Sequence, residues 1–242
     1  MNYYYITGTS SGLGKAIAEQ LLEREDVLVY GISRTSSIQH SKYNHVFADL
    51  SNPAALNKIT GLFNGPYTAG DNIYLINNAG VVDPIKYAQD FSEDEIQALL
   101  QVNLIAAIQL ISAFLKITAT VKRSIIINVS SGAATKVIDG WSLYGTAKAA
   151  LDHFSLHVSR ELEIKKIPNH FIFSVAPGVV DTAMQQKIRE ASVESFSTLN
   201  RFTTLFEAGE LASAATIAAK YLRILDHPDD FPQVVFSVRD LV

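Results

Sequence analysis

The stretch Thr7-Gly8-Thr9-Ser10-Ser11-Gly12-Leu13-Gly14 constrains this chain more than any other. It follows the apolar run Tyr3-Tyr4-Tyr5-Ile6 and opens a helical pattern over residues 15–22. A strand that ends in three glycines and small hydroxyl residues before a helix leaves backbone N–H groups unpaired at the positive end of that helix, where they suit a pyrophosphate. Glycine lets main chain approach main chain, and ligand, with no Cβ between. The spacing is Gly-x-x-x-Gly-x-Gly rather than the common Gly-x-Gly-x-x-Gly, so the letters alone leave other readings open. One is a turn without a ligand. Another is the Gly-x-Ser-x-Gly elbow of a serine hydrolase, with Ser10 as nucleophile. That fold needs earlier strands and an oxyanion loop, which the seven residues before Gly8 do not provide, so position favours the dinucleotide reading.

A chain of 242 residues, 48% hydrophobic and 18% charged, can bury the core of one α/β domain, residues 1–242. The formal net charge of -4 argues against a nucleic-acid or anionic-membrane surface. With no cysteine, disulfides, thiolate catalysis and Cys-based metal sites are excluded. Neither a leader nor a span of about 18 uninterrupted apolar residues is legible, and a cytoplasmic protein is expected.

Short apolar runs alternate with helical patterns, as in a doubly wound parallel sheet. Residues 27–32 form the second strand and end at Ser33-Arg34-Thr35-Ser36. A dinucleotide fold places there the residue that meets the adenosine ribose; an acid would select NAD, and Arg34 accommodates the extra phosphate of NADP. Val46-Phe47-Ala48-Asp49-Leu50 ends the third strand, leaving Asp49 to meet adenine or to cap the helix that starts at Asn52-Pro53. Residues 61–70 read as a link. After the fourth strand, Asn77 suits a buried amide tying strands together, while Asn78-Ala79-Gly80 allows a ligand close approach.

Residues 92–116 form a long helical pattern with Ser92 as N-cap and Glu95 closing a capping box. Asn103 interrupts its apolar run; a buried mid-helix amide must find partners, in a site or in the core. The fifth strand ends in Ser130-Ser131, and a turn containing Gly132 and Gly140 leads to a helix over residues 142–166. Its start, Tyr144-Gly145-Thr146-Ala147-Lys148, sets a phenol and an ammonium on one face. The sixth strand leads into Pro177-Gly178-Val179-Val180-Asp181-Thr182, and residues 184–206, without clean periodicity, suit a mobile cover or a helical excursion with a buried face. Residues 211–225 form a further helix, and 234–238 the last strand. His153 and His157, four apart, lack the Glu of a zinc helix, and no metal is expected.

Together Thr7-Gly8 through Gly14, Asn77-Asn78-Ala79-Gly80, Asn103, Ser131, Tyr144, Lys148 and Pro177-Gly178 resemble the short-chain dehydrogenase/reductase family, over nearly the whole chain and in the right order. Ser130-Ser131-Gly132-Ala133 with Gly140-Trp141, and the run from Ala176 to Gln185, are most similar to its sepiapterin reductase and benzil reductase branch. The resemblance implies a single-domain Rossmann fold, α/β, with about seven strands in the order 3-2-1-4-5-6-7 and helices on both faces. It also implies an NADP(H)-dependent oxidoreductase and selects Ser131 rather than Ser130. Tyr144 is then the general acid, Lys148 the cation that lowers its pKa and binds the nicotinamide ribose, Ser131 the donor to the substrate carbonyl, and Asn103 the holder of a relay water.

Gly8, Ser10, Ser11, Gly12, Leu13, Gly14, Arg34, Asp49, Leu50, Asn78, Ala79, Gly80, Pro177, Gly178, Val180 and Thr182 would line the dinucleotide, with Tyr144 and Lys148. Gly132, Trp141, Met184, Phe196, Leu199 and Phe202 would wall the pocket, with residues 183–207 covering it, and Lys187 and Arg189 in solvent. Such walls favour a bulky or aromatic ketone or 1,2-diketone such as benzil, reduced to a chiral hydroxyketone. A pterin side-chain carbonyl is the alternative, though the acid that meets pterin in that branch has no clear counterpart at Asp240. A non-catalytic NADP-binding regulator would carry a broken Ser/Tyr/Lys set, and here it is intact. The long helices carrying Asn103 and Tyr144 suit a homodimer or homotetramer, or merely a cover for the sheet.

Overall fold

The apolar runs become strands β1 (Asn2–Thr7), β2 (Val27–Ser33), β3 (Tyr43–Phe47), β4 (Asn72–Asn77), β5 (Arg123–Val129), β6 (His170–Ala176) and β7 (Val235–Ser237). In the computed structural model, which describes residues 1–117 and 121–241, they form one sheet in the order β3-β2-β1-β4-β5-β6-β7. Every pairing is parallel. Strands buried on both faces need apolar side chains at odd and even positions alike. Alternation then divides each strand between two cores. Ile6, Val29, Ile127 and Val175 face one way, against Leu13, Ile17 and Leu21 of α1 (Gly12–Leu22) and Tyr221 and Leu225 of α8 (Ala214–Asp226). Tyr5, Ile73, Leu75 and Ile126 face the other way, against Ile59 of α2 (Pro53–Leu62), Leu110 and Phe114 of α4 (Ala106–Leu115) and Leu151 and Val158 of α5 (Ser142–Ile164). The chain is a single-domain Rossmann fold of the expected strand order.

The long pattern before β5 is α3 (Glu93–Leu100), a wide π-type turn (Gln101–Ile105) and α4, running on as one rod. Ser92 and Glu95 close their capping box, and the hydrogen bond from Lys86 holds the Glu95 carboxyl down at about 2. Glu93–Leu115 is long and apolar enough to cross a membrane. Ala106, Leu110, Ile111 and Phe114 are nevertheless buried in the second core, as in a core helix.

Four local expectations are corrected. β3 ends at Phe47, not Leu50, and Asn52 caps α2 by accepting from the Ala54 N–H at 3.0 Å. Asp49 instead accepts from the Ser51 N–H at 2.9 Å and hydroxyl at 2.7 Å, so it is not the cap. α2 runs on through Gly61, where a link was expected. The last long helix begins at Ala214, because Val180 forms a β-bridge with Ala212. The segment after β6 resolves into α6 (Ala183–Arg189) and α7 (Leu199–Glu207), with Ile188, Phe196 and Phe202 buried: a helical excursion with an inner face.

Phe114 is fully buried and meets Phe63 edge-on, with centroids 5.4 Å apart. Phe114→Ala is expected to cost about 3–5 kcal/mol of unfolding free energy, because the cavity lies between sheet and helix where neither collapses freely. Urea unfolding followed by circular dichroism checks this.

Candidate active site

Two turns at the C-terminal edge of the sheet are clasped together by side chains. The Thr7 hydroxyl accepts from the backbone N–H groups of Asn78 and Ala79, each at 3.0 Å. The Asn78 amide donates back to the carbonyls of Thr7 at 3.0 Å and Gly8 at 3.1 Å. Glycine is required here: a Cβ on Gly14 would lie 2.3 Å from the Asn78 amide nitrogen and 2.4 Å from the Gly8 carbonyl oxygen. Ser11 is the N-cap of α1 but makes no capping hydrogen bond, and the first turn carries no acid. Its N–H groups therefore face outward uncapped, beside the exposed Ser10 and Ser11, while Leu13 anchors the helix in the core. This cradle fits an anionic dinucleotide. Gly12 brings Thr182 alongside, its methyl 3.1 Å from where a Cβ would stand. Pro177, Gly178 and Val180 follow β6 on the same edge. Among the described residues no histidine hydrogen-bonds to Ser10, so the hydrolase reading lacks its base.

At the C-terminal ends of β2 and β3, Arg34 is exposed just past β2, and Leu50 is buried. Asp49 is held below the usual carboxylate range first by the Ser51 hydroxyl and last by the Arg34 charge. Beneath them lies a hydroxyl cluster that the sequence reading missed: Thr9, fully buried, meets the Tyr43 phenol at 3.0 Å and the Ser33 hydroxyl at 3.3 Å. Its signal was a threonine between glycines that pointed inward.

The structure brings Asn103, Ser131, Tyr144 and Lys148 together. Ser131 ends the strand edge beyond β5 and accepts from the Ala133 N–H at 3.1 Å, with its hydroxyl beside the Tyr144 phenol. Gly145 lets α5 seat on this turn, since a Cβ there would lie 2.9 Å from the Ala133 carbonyl oxygen. Tyr144 and Lys148 are 7% and 4% exposed. The Lys148 ammonium donates to the Val129 carbonyl at 2.7 Å and stands 6.0 Å from the Tyr144 ring centroid. Burial pushes the Tyr144 phenol up, opposed by the Ser131 hydroxyl, so the lowering expected from Lys148 is corrected: desolvation outweighs it. Burial brings Lys148 down to about 8, opposed by the Asp152 charge.

The π-type turn presents Asn103 from below. Its amide donates to the Val81 carbonyl at 2.7 Å and accepts from the Val81 N–H at 2.8 Å, clamping the chain beyond Gly80. A Cβ on Gly80 would meet the Asn103 oxygen at 3.3 Å and the Lys148 nitrogen at 3.6 Å. Asn77, by contrast, is the expected strand tie: its amide donates to Asn128 at 2.8 Å.

Beside Tyr144 stands an aromatic cluster. Trp141 lies 5.6 Å from the Tyr144 ring, 5.1 Å from Phe196 and 5.3 Å from Phe202, centroid to centroid. Met184 and Leu199 pack against it partly buried, while Gly132 is exposed. Phe196 is fully buried and so backs the wall formed by Trp141. Lys187 is exposed and pairs with Asp83 at 2.5 Å. Arg189 departs from expectation: it is half-buried, with its guanidinium 3.8 Å over the Phe206 ring, because stacking shelters its planar face.

The arrangement has known counterparts. The chain is 40% identical to a benzil reductase ((S)-benzoin forming) of Bacillus subtilis (strain 168), over 93% of this chain and 94% of that one. A protein of the same name from Bacillus cereus is 38% identical over 96% of this chain and 97% of that one. The crystal structure of the KRED1-Pglu enzyme superposes with a TM-score of 0.81 at 30% identity, over 93% of this chain and 94% of that one. The short chain dehydrogenase profile matches residues 2–193, spanning the glycine cradle, the Ser131–Tyr144–Lys148 cluster and α6, and so the chain belongs to that family of oxidoreductases.

Proposed function

We propose that this protein is an NADPH-dependent carbonyl reductase that acts on bulky aromatic ketones and 1,2-diketones, reducing benzil at one carbonyl to (S)-benzoin. The observation that carries this reading is the aromatic wall of Trp141 packed directly on the Tyr144 ring, which offers a reacting carbonyl flat apolar neighbours and little charge. The two Bacillus relatives, named for that conversion, support it.

The residues divide the chemistry by charge. Residues 8–14 hold the pyrophosphate, Arg34 the adenosine phosphate, and Asn78–Gly80 with Val180 and Thr182 the nicotinamide half. When bound, the reduced nicotinamide supplies the hydride. A carbonyl oxygen placed between Ser131 and Tyr144 accepts from both hydroxyls, so the charge that develops there meets fixed donors. Burial keeps the proton on Tyr144 at neutral pH, which is the state a general acid needs. Once that proton is given up, Lys148 is the cation beside the phenolate. Asn103, clamped to Val81 at the far side of Lys148, holds the relay water. Residues 183–207 cover the pocket.

Three measurements test the reading. NADPH is expected to be preferred over NADH by tenfold or more in kcat/KM, at least about 1.4 kcal/mol, which one hydrogen bond to a charged group, at roughly 1.5–3 kcal/mol, is enough to supply. Arg34→Asp reverses that order, and equal values in the unchanged enzyme would refute the assignment. Tyr144→Phe abolishes turnover while NADPH fluorescence still titrates, whereas Lys148→Ala weakens both; substantial turnover in Tyr144→Phe would place the proton elsewhere. Incubation with NADPH and benzil followed by chiral chromatography is expected to show (S)-benzoin alone, since two fixed hydroxyls and one hydride face leave the substituents one arrangement. A racemate, or rapid reduction of small keto acids instead, would overturn the pocket reading.

A further inference from the structure

The helix that carries Tyr144 and Lys148 carries a third ionisable group on the same stripe. Asp152 follows Lys148 by four residues, as Lys148 follows Tyr144, so the three stand one above another on α5. Asp152 is 8% exposed. Its carboxylate accepts from the Ser174 hydroxyl at 2.5 Å, across from β6, and the Ser130 hydroxyl just past β5 lies beside it. The Asp152 charge favours the protonated form of Lys148, and the Lys148 charge favours the ionised form of Asp152.

A desolvated ammonium with a single carbonyl acceptor is an expensive state unless a negative charge is close. The Val129 carbonyl favours the ammonium through a charge-assisted hydrogen bond but brings no net negative charge. The Asn103 amide brings a dipole but no charge. We propose that Asp152 is a positioning residue: a buried counter-charge, fixed by Ser174, that keeps Lys148 protonated where water is excluded. The inference rests on the reading that Lys148 acts as a cation. It assigns Asp152 no contact with substrate or cofactor.

The sign follows from the two groups. Burial lowers the proton affinity of Lys148 and Asp152 restores part of it. Removing the carboxylate charge therefore moves the Lys148 midpoint down from about 8. Burial raises Asp152 and its hydroxyl partners lower it, so removing Ser174 makes Asp152 take up its proton at higher pH. The first change erodes the Lys148 charge from the alkaline side, and the second withdraws its counter-charge from the acid side.

The test is direct titration in the intact protein carrying ε-13C-lysine, with the Lys148 resonance assigned by its loss in Lys148→Met. Asp152→Asn is expected to lower the Lys148 midpoint by about one pH unit, a tenfold loss of proton affinity, and Asp152→Glu to recover most of it. Ser174→Ala is expected to raise the acid inflection of the same resonance. An Asp152→Asn protein that folds, judged by its circular dichroism, and titrates like the parent would overturn the proposal. Should Asp152→Asn not fold, an unmoved acid inflection in Ser174→Ala would overturn it equally. A merely structural aspartate would change melting temperature and leave the Lys148 titration where it was. The measurement uses neither cofactor nor carbonyl substrate, so a failure to reduce benzil leaves it standing, and its own failure leaves the reductase reading standing.

Discussion

Everything functional in this molecule depends on β1 and β4 being neighbours while the chain on either side of them winds in opposite directions. From β1 the sheet grows outward through β2 to β3; from β4 it grows the other way through β5, β6 and β7. Loops leaving the two central strands therefore part and open a crevice at the C-terminal edge. The clasp between Thr7 and Asn78 holds the two sides of that crevice at a fixed spacing, and the glycines permit it, since a Cβ at Gly8 or Gly14 would strike the Asn78 amide. The uncapped start of α1 and the Tyr144 cluster then face the same cleft from β1 and β5, on either side of β4, although residues 8 and 144 lie far apart in the chain.

Much of this was legible because it is written locally. Alternating apolar runs, the glycine turn and the capping box of Ser92 and Glu95 are short-range patterns, and each became the element it suggested. Asn103 stood out because a lone amide in an apolar helix must have a reason, although its clamp on Val81 could not be read. What escaped the sequence is what depends on partners distant in the chain. Asp49 suited an adenine contact or a cap, and only Ser51, by taking its carboxylate, rules out the cap; Arg189 was a solvent residue until α7 placed Phe206 beneath it. Phe196 lies outside any helix or strand, where no periodicity could mark it as buried. Asp152 carries no short motif that separates it from an ordinary helix acid; only β6, bringing Ser174 against it, reveals a charge held inside.

The inner face of α5 sets packing against chemistry. Leu151, Val158 and Leu162 belong to the core, while Tyr144, Lys148, Asp152 and Ser155 run beside them with polar atoms buried. Ser155 gives its hydrogen to the Leu151 carbonyl at 2.8 Å and accepts from Asn128 at 2.9 Å, which in turn accepts from Asn77. The polar stripe is thus stitched into the sheet through β5 to β4. An apolar replacement within it strands its neighbours, at about 1–3 kcal/mol for each unsatisfied group. Such a stripe fixes the rotation of α5 about its axis, because any other angle would bury a charge among leucines.

The turn at Gln101–Ile105 has a consequence of phase. A π-type turn is one residue longer than an α turn, so α3 and α4 are a single rod whose two halves are out of step by one position, a rotation of about 100°. The buried Leu99 looks toward the aromatic cluster, while Leu110 and Phe114, on the same rod, look toward the sheet. Asn103 sits at the join, where neither half dictates its direction. The rod therefore serves two masters, the pocket and the core, and loss of one residue from that turn would bring its halves into step by swinging one of them off its partner.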